Sequence, residues 1–369
     1  MATRPSGIVT GGAGGAEAPR STLVLGEVAA RADDAVSGSP VARSFQVGGR
    51  TVRLEFAGDA LVDKLTRALR HLPAGTAEPD LTIRAWDTAS TGMPGPTLPP
   101  DDHPDGPTWR RVLVDDPPLH AVYKPGAGSL SVVDRSRRLA WYWCADAGDV
   151  PVWEQGTPFL HVFHHWLSSV GLQLVHAGAA GDGGGDGGVL FVGKSGSGKS
   201  TATLASVVGA DRDGGLRYAG DDYVVVGADP DPVVHALYSS GKLDVAQLVR
   251  FPELGRWVEN PDGPADEKRV FFLADHRPEW TSTGFPLRAV VLPRVAGRPG
   301  SSLEASSPAA ALAALAPSTI FQMPGAAGAE LKGIAAVLRR VPAWRLHSGT
   351  DLAAHEPLLR ELLTKGRGA

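Results

Sequence analysis

Gly193-Lys-Ser-Gly-Ser-Gly-Lys-Ser200 carries the spacing G-x-x-x-x-G-K-S, the Walker A pattern of a phosphate loop. Gly193, Gly196 and Gly198 permit backbone conformations closed to most side chains, so successive N–H groups can turn inward on phosphate oxygens. Lys199 supplies a cation for the terminal phosphates and Ser200 a hydroxyl for Mg²⁺, while Ser195, Ser197 and Thr201 are the remaining candidates for nucleotide contact. The chemistry these types suit is the binding of ATP with Mg²⁺. The loop needs a strand before it and a helix after it, whose positive end meets the phosphates. Val189 to Val192 has the character of a buried strand, and Leu204, Val207 and Val208 recur at helical spacing, so the context separates the motif from a Gly/Ser linker.

A second constellation lies about 20 residues downstream, where two β-type runs, Leu216-Arg-Tyr-Ala-Gly and Tyr223-Val-Val-Val, meet at Asp221-Asp222. Adjacent carboxylates on extended chain point to opposite sides and can take different tasks. One can face Mg²⁺ beside Ser200, and the other can take the proton of an attacking hydroxyl or orient a water. The sequence leaves open which does which, and a solvated Asp-Asp turn is the competing reading. Lys242, Lys268 and Arg269 are the downstream cations that could meet charge on a migrating phosphoryl group. Ala289-Val-Val-Leu-Pro293 is read as an apolar strand ending in proline where a Walker B motif would place aspartate. With no Leu-Ser-Gly-Gly signature either, a motor or transporter ATPase fits poorly; the motif set of eukaryotic-type protein kinases is also missing. His161, His164 and His165 have metal-compatible spacing, but no acidic neighbour in sequence completes a site, and Phe159, Leu160, Phe163 and Trp166 mark a packing helix.

The elements that must position these residues fall into two parts. A chain of 369 residues is long enough for about two domains with a sizeable core. Residues 1–28 are Gly/Ala/Pro-rich at first and are expected to be disordered. Residues 29–157 read as an N-terminal, mostly-β α+β domain: a hairpin about Gly48-Gly49, a helix from Ala60 to Leu72, then strands from Asp80, Arg111, His120, Ser129 and Arg138. Gly92 to Pro107 is too proline-rich for regular structure, and Gly181 to Gly188 is a hairpin tip without the lysine or helix of a phosphate site. Residues 158–369 open on a helix from Pro158 to Val170 and form an α/β phosphate-loop domain.

The 36 basic and 40 acidic residues nearly cancel, which argues against nucleic acid or an anionic membrane as partner. One cysteine, Cys144, rules out an internal disulfide and fits a reducing compartment. No apolar run approaches the length of a membrane span, and the first 20 residues do not resemble a signal peptide, so a cytoplasmic protein is expected. Oligomeric state is not legible.

The order Leu174-Val-His176-Ala-Gly, Gly193 to Ser200, then Tyr218-Ala-Gly-Asp221-Asp222 resembles the HPr kinase/phosphorylase family and its HPr-kinase-like relatives, allied in fold to phosphoenolpyruvate carboxykinases. The resemblance covers about residues 150 to 365. It implies ATP-dependent phosphorylation of a serine hydroxyl, with Lys199 on the β/γ-phosphates, Ser200 on Mg²⁺, Asp221 or Asp222 as base, and His176 near the site or merely packed at a strand end. Thr201 stands where HPr kinases usually have an acidic residue, and their Leu-Glu-Val-Arg type segment is missing, so the resemblance extends neither to phosphorolysis nor to HPr as acceptor. The stretches Ala236 to Asp244 and Asp266 to Phe272, and the ending Val341-Pro-Ala-Trp-Arg-Leu, look more like the serine kinases that modify precursor peptides of natural products. The expected function is an ATP- and Mg²⁺-dependent kinase acting on an aliphatic hydroxyl, a serine of a peptide or small protein. The alternatives are a kinase for a small metabolite such as free serine or a sugar alcohol, and a nucleotide-gated binding module with slow ATPase activity.

Overall fold

The computed structural model describes residues 20–98, 110–182, 187–208, 215–320 and 327–365. The first sheet has seven strands: β1 (Val41–Val47), β2 (Arg50–Phe56), β3 (Leu81–Asp87), β4 (Arg111–Asp116), β5 (Leu119–Lys124), β6 (Ser129–Asp134) and β7 (Leu139–Cys144). Their spatial order is β1-β2-β3-β7-β6-β5-β4, parallel at β2/β3 and β3/β7 and antiparallel elsewhere. The hairpin turns at Gly48 and Gly49, both at positive φ, as a two-residue connection requires.

Two expectations for this half need correction. Disorder over 1–28 does not hold from Arg20 onward, because Arg20–Ala35 is a helix; residues 1–19 lie outside the described residues. Val28, Ala32 and Val36 recur every four residues and are buried, the first two clustering with Trp86, Val132 and Trp141 of the sheet. The single helix over Ala60–Leu72 is instead a short α-helix, Val62–Thr66, running into a 3₁₀ turn, Arg67–Leu69, although Leu61, Leu65, Leu69 and Leu72 are all buried as the spacing requires. Of the proline-rich loop, residues 92–98 lack regular structure and 99–109 lie outside the described residues.

The helix expected from Pro158 begins later, at Leu160, and runs to Ser169. Phe159 precedes it in the left-handed region (φ 57°), with its ring edge-on to Tyr142 at 5.4 Å. From there the chain builds β8 (Gln173–Val175), β9 (Gly178–Asp182), β10 (Gly188–Phe191), β11 (Leu216–Gly220), β12 (Val224–Gly227) and β13 (Val233–His235). A separate antiparallel ribbon follows, β14 (Ser240–Leu243) with β15 (Arg269–Phe272), and then β16 (Gly284–Val295), β17 (Ser302–Ser306) and β18 (Ala343–Ser348). Apart from the ribbon these form a nine-stranded mixed sheet in the order β11-β9-β10-β16-β13-β12-β8, with β18 also beside β16 and β17 beside β18. β9 and β10 are antiparallel across the Gly181–Gly188 segment, of which 183–186 lie outside the described residues.

β16 does not stop at Pro293 but runs on to Val295. The register explains why proline is tolerated. Val290 donates to Pro342 at the β18 side, whereas Val291 accepts from Val192 on the β10 side, so alternate N–H groups face opposite neighbours. Position 293 would therefore donate towards β10, which has already ended at Phe191.

The helix Leu160–Ser169 joins the two sheets. Phe159, Phe163, Trp166 and Leu167 lie in one apolar cluster with Phe56, Leu65 and Tyr142 on one side and Leu174, Val225, Tyr238 and Val290 on the other, so the core is continuous across residue 157. At up to about 3 kcal/mol per fully buried large side chain, this shared core fixes the N-terminal sheet against the rest. The molecule is thus a mixed α/β assembly of several sheets and helices. No helix among the described residues is long and apolar enough to cross a membrane.

Candidate functional site

β9, β10 and β11 set the site. β10 and β11 both run antiparallel to β9, so their C-terminal ends emerge at the same edge of the sheet, and the residues before β9 start from that edge. The 193–198 loop follows β10, Asp221-Asp222 follows β11, and His176 lies just ahead of β9. After the loop comes the expected helix, Lys199–Val208, which presses against β9 so closely that a Cβ on Gly178 would stand 2.1 Å from Thr203 Oγ1. A side chain at 178 would force Thr203 or the helix itself to move away from β9.

Within the loop Gly196 (φ 77°) and Gly198 (φ 95°) are left-handed. Gly193 leaves room for the Ser197 side chain, whose Oγ would lie 2.4 Å from a Cβ at 193. Ser197 is thereby turned into the loop, and neither it nor Gly193 lines the cavity above. Ser195, Gly196, Gly198, Lys199, Ser200 and Thr201 do line it, in a space of about 290 Å³. The Lys199 ammonium is buried and donates to the Gly193 carbonyl (2.7 Å) and the Lys194 carbonyl (3.3 Å). Burial pulls its pKa down, against the opposing pull of Asp221 and Asp222.

The two aspartates have opposite electrostatics. Asp221 is 2 % exposed, and its Oδ1 has no hydrogen-bond partner among the described residues. Its carboxyl interacts with the Ser200 hydroxyl and accepts, at 3.4 Å, from the Lys242 backbone N–H. Burial first, and the Asp222 charge second, push its pKa up to about 6. Asp222 is also disfavoured by burial, but the Lys242 ammonium (Nζ to Oδ2, 2.9 Å) and His176 (Nε2 to Oδ1, 3.1 Å) outweigh that and hold it well below the usual carboxylate range. Its side chain keeps 20 % exposure, so of the two carboxylates this is the accessible one. Both lie just behind the cavity wall, which here is formed by Ser200, His176 and Lys242.

Lys242 and Lys268 both reach this wall, Lys242 from β14 and Lys268 from the residue before β15. Arg269 does not. Its guanidinium donates to the carbonyls of Gly263 (2.6 Å), Pro264 (3.1 Å) and Glu267 (3.0 Å) and so holds the turn before the ribbon. Thr157, Gln247, Arg250, Val295 and the turn Ser348-Gly349-Thr350 were not expected. Thr157 Oγ1 lies 3.5 Å from Lys242 Nζ, and the others line the cavity. They are scattered over some 190 positions of sequence without a motif, so only the strand order gathers them.

The histidines of the helix Leu160–Ser169 are buried, as a packing helix implies. The absence of an acidic neighbour is true only along the chain: Glu330, from the helix Ala327–Leu338, brings Oε1 to 2.7 Å from His164 Nε2. The His120 and His165 rings meet at 3.3 Å between centroids, tilted by 31°. Even so, no group of three or more His, Cys, Asp or Glu side chains among the described residues is arranged to hold a metal ion. For Mg²⁺ the donor set at the loop does fit: a hydroxyl and a carboxylate with an unpartnered buried oxygen suit an ion that takes few protein ligands beside phosphate and water.

No family model matches the chain, and no curated protein matches it. Among solved structures it is similar to the Hpr(Ser) kinase/phosphatase from Coxiella burnetii, at 13% identity over 53% of this chain and 99% of that one, with a TM-score of 0.30.

Proposed function

We propose that the protein is an ATP- and Mg²⁺-dependent kinase that transfers the terminal phosphoryl group to an aliphatic hydroxyl, a serine of a peptide or small protein. The observation that carries this reading is the split between neighbouring carboxylates beside the glycine-rich loop: Asp221 on Ser200, Asp222 on Lys242 and His176.

The loop N–H groups and Lys199 bind the phosphates. Ser200 and Asp221 would hold Mg²⁺, which when bound neutralises charge on the phosphate oxygens. Asp222, accessible and kept ionised, accepts the proton of the acceptor hydroxyl as its oxygen attacks the γ-phosphorus. The new O–P bond forms while the bond from the γ-phosphorus to the β–γ bridging oxygen breaks, and the electron pair leaves with ADP. His176 orients the Asp222 carboxylate through Oδ1. Lys242, bonded to Oδ2, is placed to share its charge with the migrating group.

Incubation with labelled ATP, Mg²⁺ and a panel of serine peptides and small alcohols tests the reading. Asp222→Asn is expected to lower transfer by about 10²–10⁴-fold with ATP affinity retained. Full transfer by that variant would remove Asp222 from the mechanism. ADP release by the wild type that no acceptor stimulates would favour the slow ATPase module.

A further inference from the structure

The segment from Lys242 to Arg250, with the short helix Val245–Leu248 at its middle, runs the length of the cavity. At one end Lys242 holds Asp222 at 2.9 Å; at the other Arg250 reaches the Thr350 carbonyl at 3.4 Å. These are opposite flanks of the phosphate loop. In the order β11-β9-β10-β16-β18, Asp221-Asp222 follows β11 on one flank and Ser348 ends β18 on the other. Within the segment Asp244, Gln247 and Arg250 line the cavity, while half-buried Leu248 packs on the core cluster that holds Phe251 and Leu254.

The two valines of the segment serve neither purpose. Val245 is 45 % exposed and Val249 79 %, the most exposed large apolar side chain among the described residues. Val249 keeps helical backbone angles (φ −56°, ψ −25°), so the two valines, four positions apart, stand on one side of the turn, with exposed Ala246 beside them. Scattered apolar side chains in water mean little, but a pair on one face at the rim of a site is a surface for contact.

Resting on the kinase reading above, we infer that the outer face of the helix Val245–Leu248 is the docking surface of the acceptor, and that the acceptor is a peptide segment with aliphatic side chains close to its serine. The face is continuous with the transfer site: three residues of chain reach at most about 10 Å, so Val245 stands within about that distance of Lys242, which is paired with Asp222. Free serine or a small sugar alcohol held at Asp222 is too short to touch it, whereas a peptide reaches it two to four residues from the reacting serine. Val245 and Val249 are about 6 Å apart along the helix axis. Alternate residues of an extended chain share a face and advance by nearly the same amount, about 6.6 Å, so two aliphatic side chains two positions apart match the two valines.

The test uses labelled ATP, Mg²⁺ and peptides with a central serine in a glycine background, each flanking position replaced in turn, and in pairs, by leucine. For the wild type, leucines two positions apart within about five residues of the serine should raise kcat/KM by about tenfold over the glycine peptide. Val245→Ser and Val249→Ser should each reduce that preference by about threefold, with the urea midpoint kept because both side chains already face water. A wild type indifferent to the flanking residues, or a preference that survives in both variants, overturns the docking surface and leaves the kinase reading standing. So does transfer to free serine with none to any peptide. If sedimentation shows that the substitutions abolish self-association while the leucine preference persists, the face is an interface between copies of this chain and the proposal fails. Transfer to neither peptides nor small alcohols removes the kinase reading and the docking surface together.

Discussion

Asp221 pays for its position. Its ordinary pKa is 3.8 and its folded one about 6, so between those values the native state holds more protons than the unfolded chain, and stability falls as pH rises. Above pH 6 the buried charge costs on the order of 2–3 kcal/mol. Asp221→Asn is accordingly expected to raise the denaturation midpoint at pH above 6, to change it little near pH 4, and to impair Mg²⁺-dependent transfer. Urea unfolding at the two pH values checks this, and the same shift at both would show that the burial of charge is not the cause. The sequence identified this pair but not its division of labour, because the Ser200, Lys242 and His176 contacts come from three other segments.

The β14–β15 ribbon is the element on which the site depends most and which was least legible. It carries Lys242 and abuts Lys268, yet it is paired to neither large sheet. Its anchor is the 3₁₀ turn Arg67–Leu69 of the N-terminal half. The Ala68 carbonyl accepts from Ser239 N (2.9 Å), Arg67 binds Glu259 (2.7 Å) and Asp275, and its guanidinium lies 4.2 Å from the Phe272 ring centroid. That engagement accounts for the helix over Ala60–Leu72 breaking into two pieces. Arg67→Met should cost about 1 kcal/mol, because these ion pairs are partly solvated, and should speed amide exchange at Ser239 and Leu273 while exchange in β9 and β10 stays slow. Unchanged exchange at Ser239 would mean that the ribbon is held from the Tyr218 side, where the Tyr218 hydroxyl donates to the Ser240 carbonyl.

Across the whole molecule, the joint between the sheets is polar as well as apolar. Lys124 and Glu154 form a buried ion pair, and His120, His161, His164 and His165 are buried near it with Glu330. Burial lowers His120 to about 4, with Asp115 opposing and His164 and Arg135 adding to it; burial holds His161 well below its ordinary value, reinforced by Lys124, His164, Arg110 and His165. Both imidazoles are neutral in the fold and would charge in the unfolded chain below the ordinary 6.5. Their contribution is therefore complete above pH 6.5 and is lost as pH falls towards 4, by about 3 kcal/mol for His120. Asp221 works in the opposite sense over part of that range, but burial also lowers His71, His235 and His355, so it stands against five histidines and net destabilisation on acidification is expected. His161→Phe should flatten the dependence of the urea midpoint on pH, and an unaltered slope would place the acid sensitivity elsewhere.

The sequence by itself determined the features that depend on near neighbours. The glycine spacing of the 193–198 loop, its flanking strand and helix, the Gly48-Gly49 hairpin and the buried leucine face of Leu61 to Leu72 follow from φ preference and hydrophobic period, which act within a few residues. The tertiary structure decided what depends on strand order. It put Lys242 on Asp222, turned Arg269 away, brought Glu330 to His164, ordered Arg20–Ala35 against Trp86, and set Ser348 on the far flank of the loop from the carboxylates. Such contacts join segments far apart in the chain, and no local preference encodes which strands become neighbours once two sheets share one core.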